Sequence, residues 1–389
     1  MADHIITGID VGTYQVKVAI ARAPKRGDAR AMPEIIGTGH AESRGLKNGY
    51  IINDGDVGRS IKSAVAQAEK QAGVAAKRAH VAIGSIGLEE VYAKGEIIPA
   101  RADSTITASD LEKVMADSEE RIADHIPNRR ILHSIPLRYC VDGAEVLGRP
   151  QGMRGTKLEI DSLFITTYEQ HVNDLIAAIE GVGIAVEDVI ASPLAASFVM
   201  LSKTQKRAGC VLVNIGAETT SLVVFEDTTP ISLKIFPTGS SDITNDIALG
   251  LKIPLEEAEK IKRGAMTGVS YSKKRLEEVV AERLTTICTL IDSHLKKIKR
   301  DGLLPAGVIL TGGGSSTAGL VDAAKQTLDL PARTATLEFG KATKVKDASF
   351  AVAYGLCMWG ASDTEETSAV GVVRQSRKSL LAWINQFLP

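Results

Sequence analysis

Cysteine is scarce in this chain: Cys140, Cys210, Cys288 and Cys357 lie far apart among 389 residues, with no C-x-x-C. A disulfide framework or a cysteine zinc site is therefore not expected, and buried thiols in a reducing cytoplasm are. Charge of one sign is lacking too, since 46 Lys and Arg oppose 47 Asp and Glu for a net charge of −1. No global field draws the chain to nucleic acid or to an acidic surface. No apolar run approaches the roughly 20 residues that span a bilayer. The opening Met1-Ala2-Asp3-His4 has no basic segment ahead of an apolar core, so no signal peptide is expected. A G-x-x-x-x-G-K-[ST] motif is absent, which excludes a P-loop NTPase, and there is no G-x-G-x-x-G.

What is present is a duplication. Near the start stands Gly8-Ile9-Asp10-Val11-Gly12-Thr13-Tyr14-Gln15-Val16-Lys17-Val18-Ala19-Ile20, and far downstream Val211-Leu212-Val213-Asn214-Ile215-Gly216-Ala217-Glu218-Thr219-Thr220-Ser221-Leu222-Val223. Each copy is an apolar strand, a small polar turn holding glycine, and a second apolar strand. Asp10 aligns with Asn214 and Gly12 with Gly216 at one common offset. Such a turn aims consecutive backbone N–H groups at one spot, a nest for an anion. Glycine lets a phosphate approach because no Cβ stands in the way. One copy alone reads as an ordinary hairpin; two copies on two halves of a chain suggest a nucleotide phosphate tail clamped between domains.

The 389 residues suffice for two or more domains, and 44% hydrophobic with 24% charged residues is ordinary for a soluble globular protein. Strand-like and helical runs alternate throughout, which predicts an α/β fold. A polar turn region over 43–56 precedes a helix over about 57–72, closed by Gly73. Residues 79–84 read as a buried strand. Residues 85–162 look like an inserted subdomain, with a helix opening at Ser109-Asp110-Leu111-Glu112 and strands over 131–139 and 157–167. A helix over 170–179, a strand over 186–190 and a helix from Ser192 follow. Helices are expected over 242–251, 255–263 and 276–300, the last ending in Lys296-Lys297-Ile298-Lys299-Arg300. Cations in a last helical turn are ordinarily dipole-favoured surface. Val308-Ile309-Leu310-Thr311-Gly312-Gly313-Gly314-Ser315-Ser316 reads as a strand entering a glycine-rich loop before a helix. That loop serves either as a tight turn or as a close-range seat for a flat or anionic ligand.

These motifs resemble the actin/Hsp70/sugar-kinase ATPase superfamily. The resemblance is carried by the two hairpins, the Leu310-Thr311-Gly312-Gly313-Gly314 loop and Ala258-Glu259-Lys260-Ile261-Lys262. Within that superfamily the chain resembles the FtsA family of bacterial cell-division proteins. Ser43-Arg44-Gly45-Leu46-Lys47-Asn48-Gly49, Arg130-Ile131-Leu132-His133-Ser134-Ile135-Pro136, Gly152-Met153-Arg154-Gly155 and the inserted segment carry that likeness, which spans nearly the whole chain.

The resemblance implies an actin-like ATPase fold with two related lobes around a nucleotide cleft. The first lobe core would hold residues 1–84, 163–196 and 346–360, and the FtsA-type insert 85–162. The second lobe core would hold 197–242 and 301–345, and a small subdomain 243–300. A flexible linker over 361–375 and an amphipathic helix over 376–389 would complete the chain. ATP would bind through Gly12, Thr13, Tyr14 and Lys17 on the first hairpin and Gly216, Ala217, Glu218 and Thr219 on the second. Glu259 and Lys262, one helical turn apart, would hold ribose and adenine. Gly239, Asn245, Gly312, Gly313, Gly314 and Ser315 would complete the site. Asp10 would hold Mg2+, through water. Asn214 and Ser192 stand where hydrolytic members carry carboxylates, and neither supplies an unaided general base. Slow or absent ATP hydrolysis is the expectation, with no catalytic residue assigned.

The last residues form a helix pattern in which Leu380, Leu381, Trp383, Ile384, Phe387 and Leu388 share one face, with Arg377 and Lys378 just upstream. From the residues alone this fits either the surface of an anionic bilayer or docking on the protein's own core; the resemblance favours the membrane. The implied role is a peripheral protein on the cytoplasmic face of the cell membrane at the division site. It would polymerise with itself and tether FtsZ, whose C-terminal tail would meet Arg283, Lys296, Lys297 and Lys299. Other division proteins are implied partners; nucleic acid is not. A pilus-assembly-type adaptor that forms no filament, and a soluble small-molecule kinase on the same fold, are the alternatives.

Overall fold

The computed structural model describes residues 4–24, 32–101, 103–265, 268, 270–335 and 348–366. The chain begins with β1 (Ile5–Val11), β2 (Gln15–Arg22) and β3 (Glu34–Glu42), then a small ribbon of β4 (Leu46–Lys47) and β5 (Tyr50–Ile51). Helix α1 (Asp54–Ala72) starts where the Asn53 side chain accepts the Asp56 N–H, and ends at Gly73 with φ 71°. Next come β6 (Arg78–Ile83), β7 (Glu89–Ile97), α2 (Ala108–Glu120), β8 (Arg129–Val141), β9 (Ala144–Val146) and β10 (Leu158–Tyr168). They are followed by α3 (Glu169–Glu180), β11 (Ala185–Ala191), α4 (Ser192–Met200) and α5 (Lys203–Ala208). The second half holds β12 (Cys210–Ile215), β13 (Thr220–Glu226), β14 (Thr229–Phe236), α6 (Ser240–Leu251), α7 (Leu255–Lys262) and α8 (Lys273–Lys297). It closes with β15 (Val308–Thr311), α9 (Leu320–Leu328), β16 (Ala332–Thr334) and α10 (Ala351–Glu366).

Two five-stranded sheets carry the architecture, ordered β11-β6-β1-β2-β3 and β14-β13-β12-β15-β16. In the first, β1 and β3 both run antiparallel to β2, while β6 is parallel to β1 and β11 to β6. In the second, β12 and β14 run antiparallel to β13, while β15 is parallel to β12 and β16 to β15. The duplication read from two hairpins thus extends to whole sheets of one topology. β12 and β13 are almost wholly buried, and β1 and β2 are buried along most of their length, as sheets covered on both faces require.

Helices α4 and α10 pack together behind the first sheet, and α4 reaches on to β12 and β13. Gly355 permits this: a Cβ there would collide with the Ala195 carbonyl. Helix α10 runs to Glu366, into the stretch read from sequence as flexible linker from residue 361, and Ala361 and Ser362 are buried. The tail residues Arg377, Lys378, Leu380, Leu381, Trp383, Ile384, Phe387 and Leu388 lie outside the described residues.

The insert is a separate antiparallel sheet, β7-β10-β8-β9, with α2 across it and its own small core of Ile106, Val114, Tyr139, Leu158 and Ile160. Its last strand pairs with β8 as far as Tyr168, so the unit extends beyond residue 162. Helix α2 is capped by Thr107, whose hydroxyl and backbone exchange hydrogen bonds with Asp110, two residues ahead of the Ser109 start read from sequence.

Candidate functional site

The two hairpins end in equivalent turns. β1 and β2 close at the pair Val11–Val16 around Gly12-Thr13-Tyr14-Gln15; β12 and β13 close at Ile215–Thr220 around Gly216-Ala217-Glu218-Thr219. A Cβ at Gly12 would lie 3.0 Å from the Gln15 carbonyl oxygen, and one at Gly216 would lie 3.0 Å from that of Thr219. Both turns are therefore tight in the same way. They face each other: the Glu218 N–H donates to Thr13 Oγ1 at 3.4 Å. The Glu218 carboxylate accepts the Asn48 N–H at 2.6 Å, back on the first lobe.

Asp10 lies opposite Lys17 on the paired strand. Burial pushes the Asp10 carboxyl up to about 6, with the Lys17 ammonium pulling it the other way. Lys17 Nζ sits 5.9 Å from the centre of the Phe350 ring. Asn214 stands at the equivalent of Asp10, next to the glycine loop: Gly312 has φ 88°, and a Cβ there would run into Asn214 Oδ1. Ser192 begins α4, buried, with its hydroxyl close against Gly84.

The adenosine-side candidates meet around Ser240. Its N–H donates to the Gly216 carbonyl at 2.9 Å, and the next N–H, of Ser241, donates to Ala217 at 2.9 Å. Its own carbonyl accepts Lys262 Nζ at 2.9 Å. Lys262 also reaches Glu259 at 2.7 Å and Thr244 Oγ1 at 2.7 Å. Burial would raise the Glu259 carboxyl; hydrogen bonds from Lys262, Thr244 and Arg263 outweigh it and hold the group below the usual carboxylate range. Gly239 lies against the second turn, where a Cβ would strike the Ala217 carbonyl. Asn245 is exposed on α6.

After Gly312 the chain forms a tight single turn over Gly313–Ser316, and α9 starts only at Leu320. The glycine loop is therefore not itself an α-helix N-terminus. A Cβ at Gly314 would crowd Ile215 and Ser240, whereas one at Gly313 would meet nothing within 4 Å. Hairpin turn, α6 start, α7 and glycine loop thus form one connected wall of the cleft, with Gly313 at its open side.

Arg263 was not read from sequence. It donates from Nη2 to the Tyr14 hydroxyl at 3.0 Å and from Nε to Glu259 at 2.6 Å, so it bridges the lobes. Of the basic candidates on the small subdomain, Arg283 makes a two-pronged ion pair with Asp246 and Lys296 pairs with Asp292 at 2.7 Å. Lys297 and Lys299 are exposed.

Two sheets of one topology, each presenting a glycine turn to a shared cleft, define an actin-like ATPase fold. The solved PilM-PilN type IV pilus biogenesis complex aligns over 92% of this chain and 98% of its own, with TM-score 0.68 and 17% identity. MreB5 of Spiroplasma citri bound to ADP aligns over 94% and 99%, with TM-score 0.54 and 12% identity. Two family profiles match, "Cell division protein FtsA" over residues 211–355 and "SHS2 domain inserted in FTSA" over residues 90–166, together more than half of the chain. The cell division protein FtsA of Pseudomonas aeruginosa is 28% identical, over 96% of this chain and 94% of that one. The chain belongs to the FtsA family of cell-division proteins.

Among the described residues no helix is long and apolar enough to cross a membrane.

Proposed function

We propose that this chain binds ATP with Mg2+ between its two turns, polymerises on the cytoplasmic face of the membrane through its terminal amphipathic helix, and tethers FtsZ filaments there. The observation that carries the nucleotide reading is the facing pair of equivalent glycine turns, with the Glu218 N–H spent on nothing stronger than a 3.4 Å contact. A phosphate oxygen is a better acceptor for such a donor than a threonine hydroxyl. Gly12, Thr13, Tyr14 and Lys17 would hold the tail from one lobe, and Gly216, Ala217, Glu218 and Thr219 from the other. The open face at Gly313 fits a flat base at close range. Glu259 and Lys262 fit the ribose and adenine, and Asp10 fits a water-bridged Mg2+. A bound Mg2+ would neutralise phosphate charge between the lobes.

Asn214 and Ser192 leave the cleft without a carboxylate at the two positions where hydrolytic relatives of the superfamily would carry one. ATP then acts as a switch for assembly, with turnover far below the roughly 1–100 per second of a kinase. The amphipathic pattern read from sequence over 376–389, with Arg377, Lys378, Leu380, Leu381, Trp383, Ile384, Phe387 and Leu388, would suit an anionic bilayer. FtsZ tails would dock near the exposed Lys297 and Lys299, with Arg283 and Lys296 already engaged in ion pairs.

Electron microscopy on anionic liposomes with ATP and Mg2+ tests this, beside a truncation ending at Ser376. Membrane-attached filaments from the full chain alone are the expected outcome. Bound protein without filaments would favour a pilus-type adaptor; no membrane binding would refute the anchor.

A further inference from the structure

Tyr14 and Glu218 hold the same place in the duplicated turns, and each reaches across the cleft to the opposite lobe. The Tyr14 hydroxyl accepts from Arg263, whose guanidinium also lies 5.6 Å from the centre of the Tyr14 ring. The Glu218 carboxylate accepts from the Asn48 N–H. We propose that these contacts are the two latches of one reciprocal clasp, and that its opening sets how fast a nucleotide enters and leaves the cleft. The proposal rests on the nucleotide reading of that cleft.

Both receiving ends are built to stay in place. Arg263 is aimed by Glu259, which accepts its Nε at 2.6 Å and is itself held by Thr244 and Lys262. The nucleotide-side wall thus continues directly into the latch. Asn48 and Gly49, with φ of 50° and 83°, form the turn between β4 and β5. That turn sits on the loop after β6, where a Cβ at Gly49 would lie 2.6 Å from Ser85 Cα and Ile86 donates to the Asn48 carbonyl at 3.4 Å. The Ser43–Gly49 motif, which the binding site itself does not use, becomes the strap that fixes the second latch.

With the clasp closed, the Glu218 N–H faces Thr13 of the other lobe. A phosphate has to displace that contact, and the lobes have to part first. A gate of this kind changes the rates of entry and exit together. A residue that merely touches the nucleotide changes exit alone.

Stopped-flow binding of N-methylanthraniloyl-ATP with Mg2+ to the full chain separates these. Arg263→Ala is expected to speed association and dissociation together, roughly five- to seventyfold, the weight of an exposed cation–π contact with one hydrogen bond, and to leave affinity nearly unchanged. Glu218→Ala should raise both rates too. Tyr14→Phe combined with Arg263→Ala should add nothing to the association rate of Arg263→Ala alone, because the two share one latch. In Arg263→Ala, faster dissociation with unchanged association or wild-type rates, and in the double variant, additive effects of the Tyr14 and Arg263 changes on association, would each overturn the clasp. A wild-type chain that binds no nucleotide refutes the cleft reading and the clasp with it. Circular dichroism melting checks that each variant folds.

Discussion

Glu90 and His294 share a single hydrogen-bond partner, the buried hydroxyl of Ser232, at 2.6 Å and 2.7 Å. The carboxylate can only accept, so the Ser232 proton points to Glu90. His294 must then donate from Nε2. Glu90 also accepts the Leu233 N–H at 2.9 Å, and Tyr92 donates to the Ile231 carbonyl at 2.9 Å. The relay therefore ties the insert's edge strand β7 to β14 and to the last turns of α8.

Removing the central hydroxyl should unlatch the insert. Ser232→Ala leaves a half-buried carboxylate and a buried imidazole each one partner short, at a cost of about 1–3 kcal/mol. Urea denaturation should register that loss. Hydrogen exchange should rise at residues 231–233 and 89–92 while the β1–β2 hairpin stays protected. Unchanged exchange at both segments would show that the relay does not hold the insert.

His133 should make stability fall in mild acid. Burial pushes its imidazole down to about 4, and its Nε2 accepts the Ala191 N–H at 3.1 Å, so the neutral form is the folded one. In the unfolded chain the group titrates near about 6.5. Between the two values the unfolded state binds the extra proton, so stability drops as pH falls through that window and levels off below it. The full effect is no more than about 3 kcal/mol. Burial also lowers His171 and His294, which add to the same slope. Urea titrations from pH 7 to 4.5 should give His133→Leu a flatter pH dependence than the natural chain, whatever its absolute stability.

The hairpins were legible because glycine turns between buried runs leave a local signature, and one offset matched both copies. The sheets followed, since a strand order repeated around each hairpin is what duplication produces. β7 and β14 were not legible: Glu89 to Ile97 carries three glutamates and a lysine, and its strand character comes from pairing with β10. The α2 start was misplaced because Thr107 and Ser109 each offer a capping hydroxyl with an acid three residues on, Asp110 and Glu112, and the helix closes its capping box at Thr107. The binding residues were read by motif. Arg263, Asn48 and the Glu90 relay were missed because their contacts join residues far apart in sequence, which no local pattern encodes.

Gly312→Ala should separate the glycine loop from the rest of the cleft. At φ 88° a side chain is strained, and its Cβ would collide with Asn214 Oδ1 and lie 2.5 Å from the Ile215 carbonyl. The loop must shift away from the second hairpin, taking Gly313 and Gly314 with it. Nucleotide affinity is expected to fall at least about tenfold, the weight of roughly 1.4 kcal/mol. Gly313→Ala, which meets open space, tests whether a base sits there: loss of affinity with an unchanged melting temperature would mark a ligand contact.

Lys206 carries the same sign of pH dependence as His133 into the alkaline range. It is 2% exposed, with its ammonium 4.9 Å from the centre of the Phe225 ring and 5.6 Å from that of Phe198. Burial brings the amine down to about 8, with Cys210 pulling the other way. The unfolded value is near about 10.4, so between the two the unfolded state holds more protons. Stability should therefore rise as pH climbs from about 8 towards 10.4. At neutral pH the charged amine is a liability that the two ring faces only partly offset. Lys206→Met keeps the length of the side chain and removes the charge. It should stabilise the protein at pH 7 by about 1–3 kcal/mol and abolish the alkaline rise. A Lys206→Met chain that melts lower than the natural one at pH 7 would mean that the cation–ring contacts outweigh the burial of the charge.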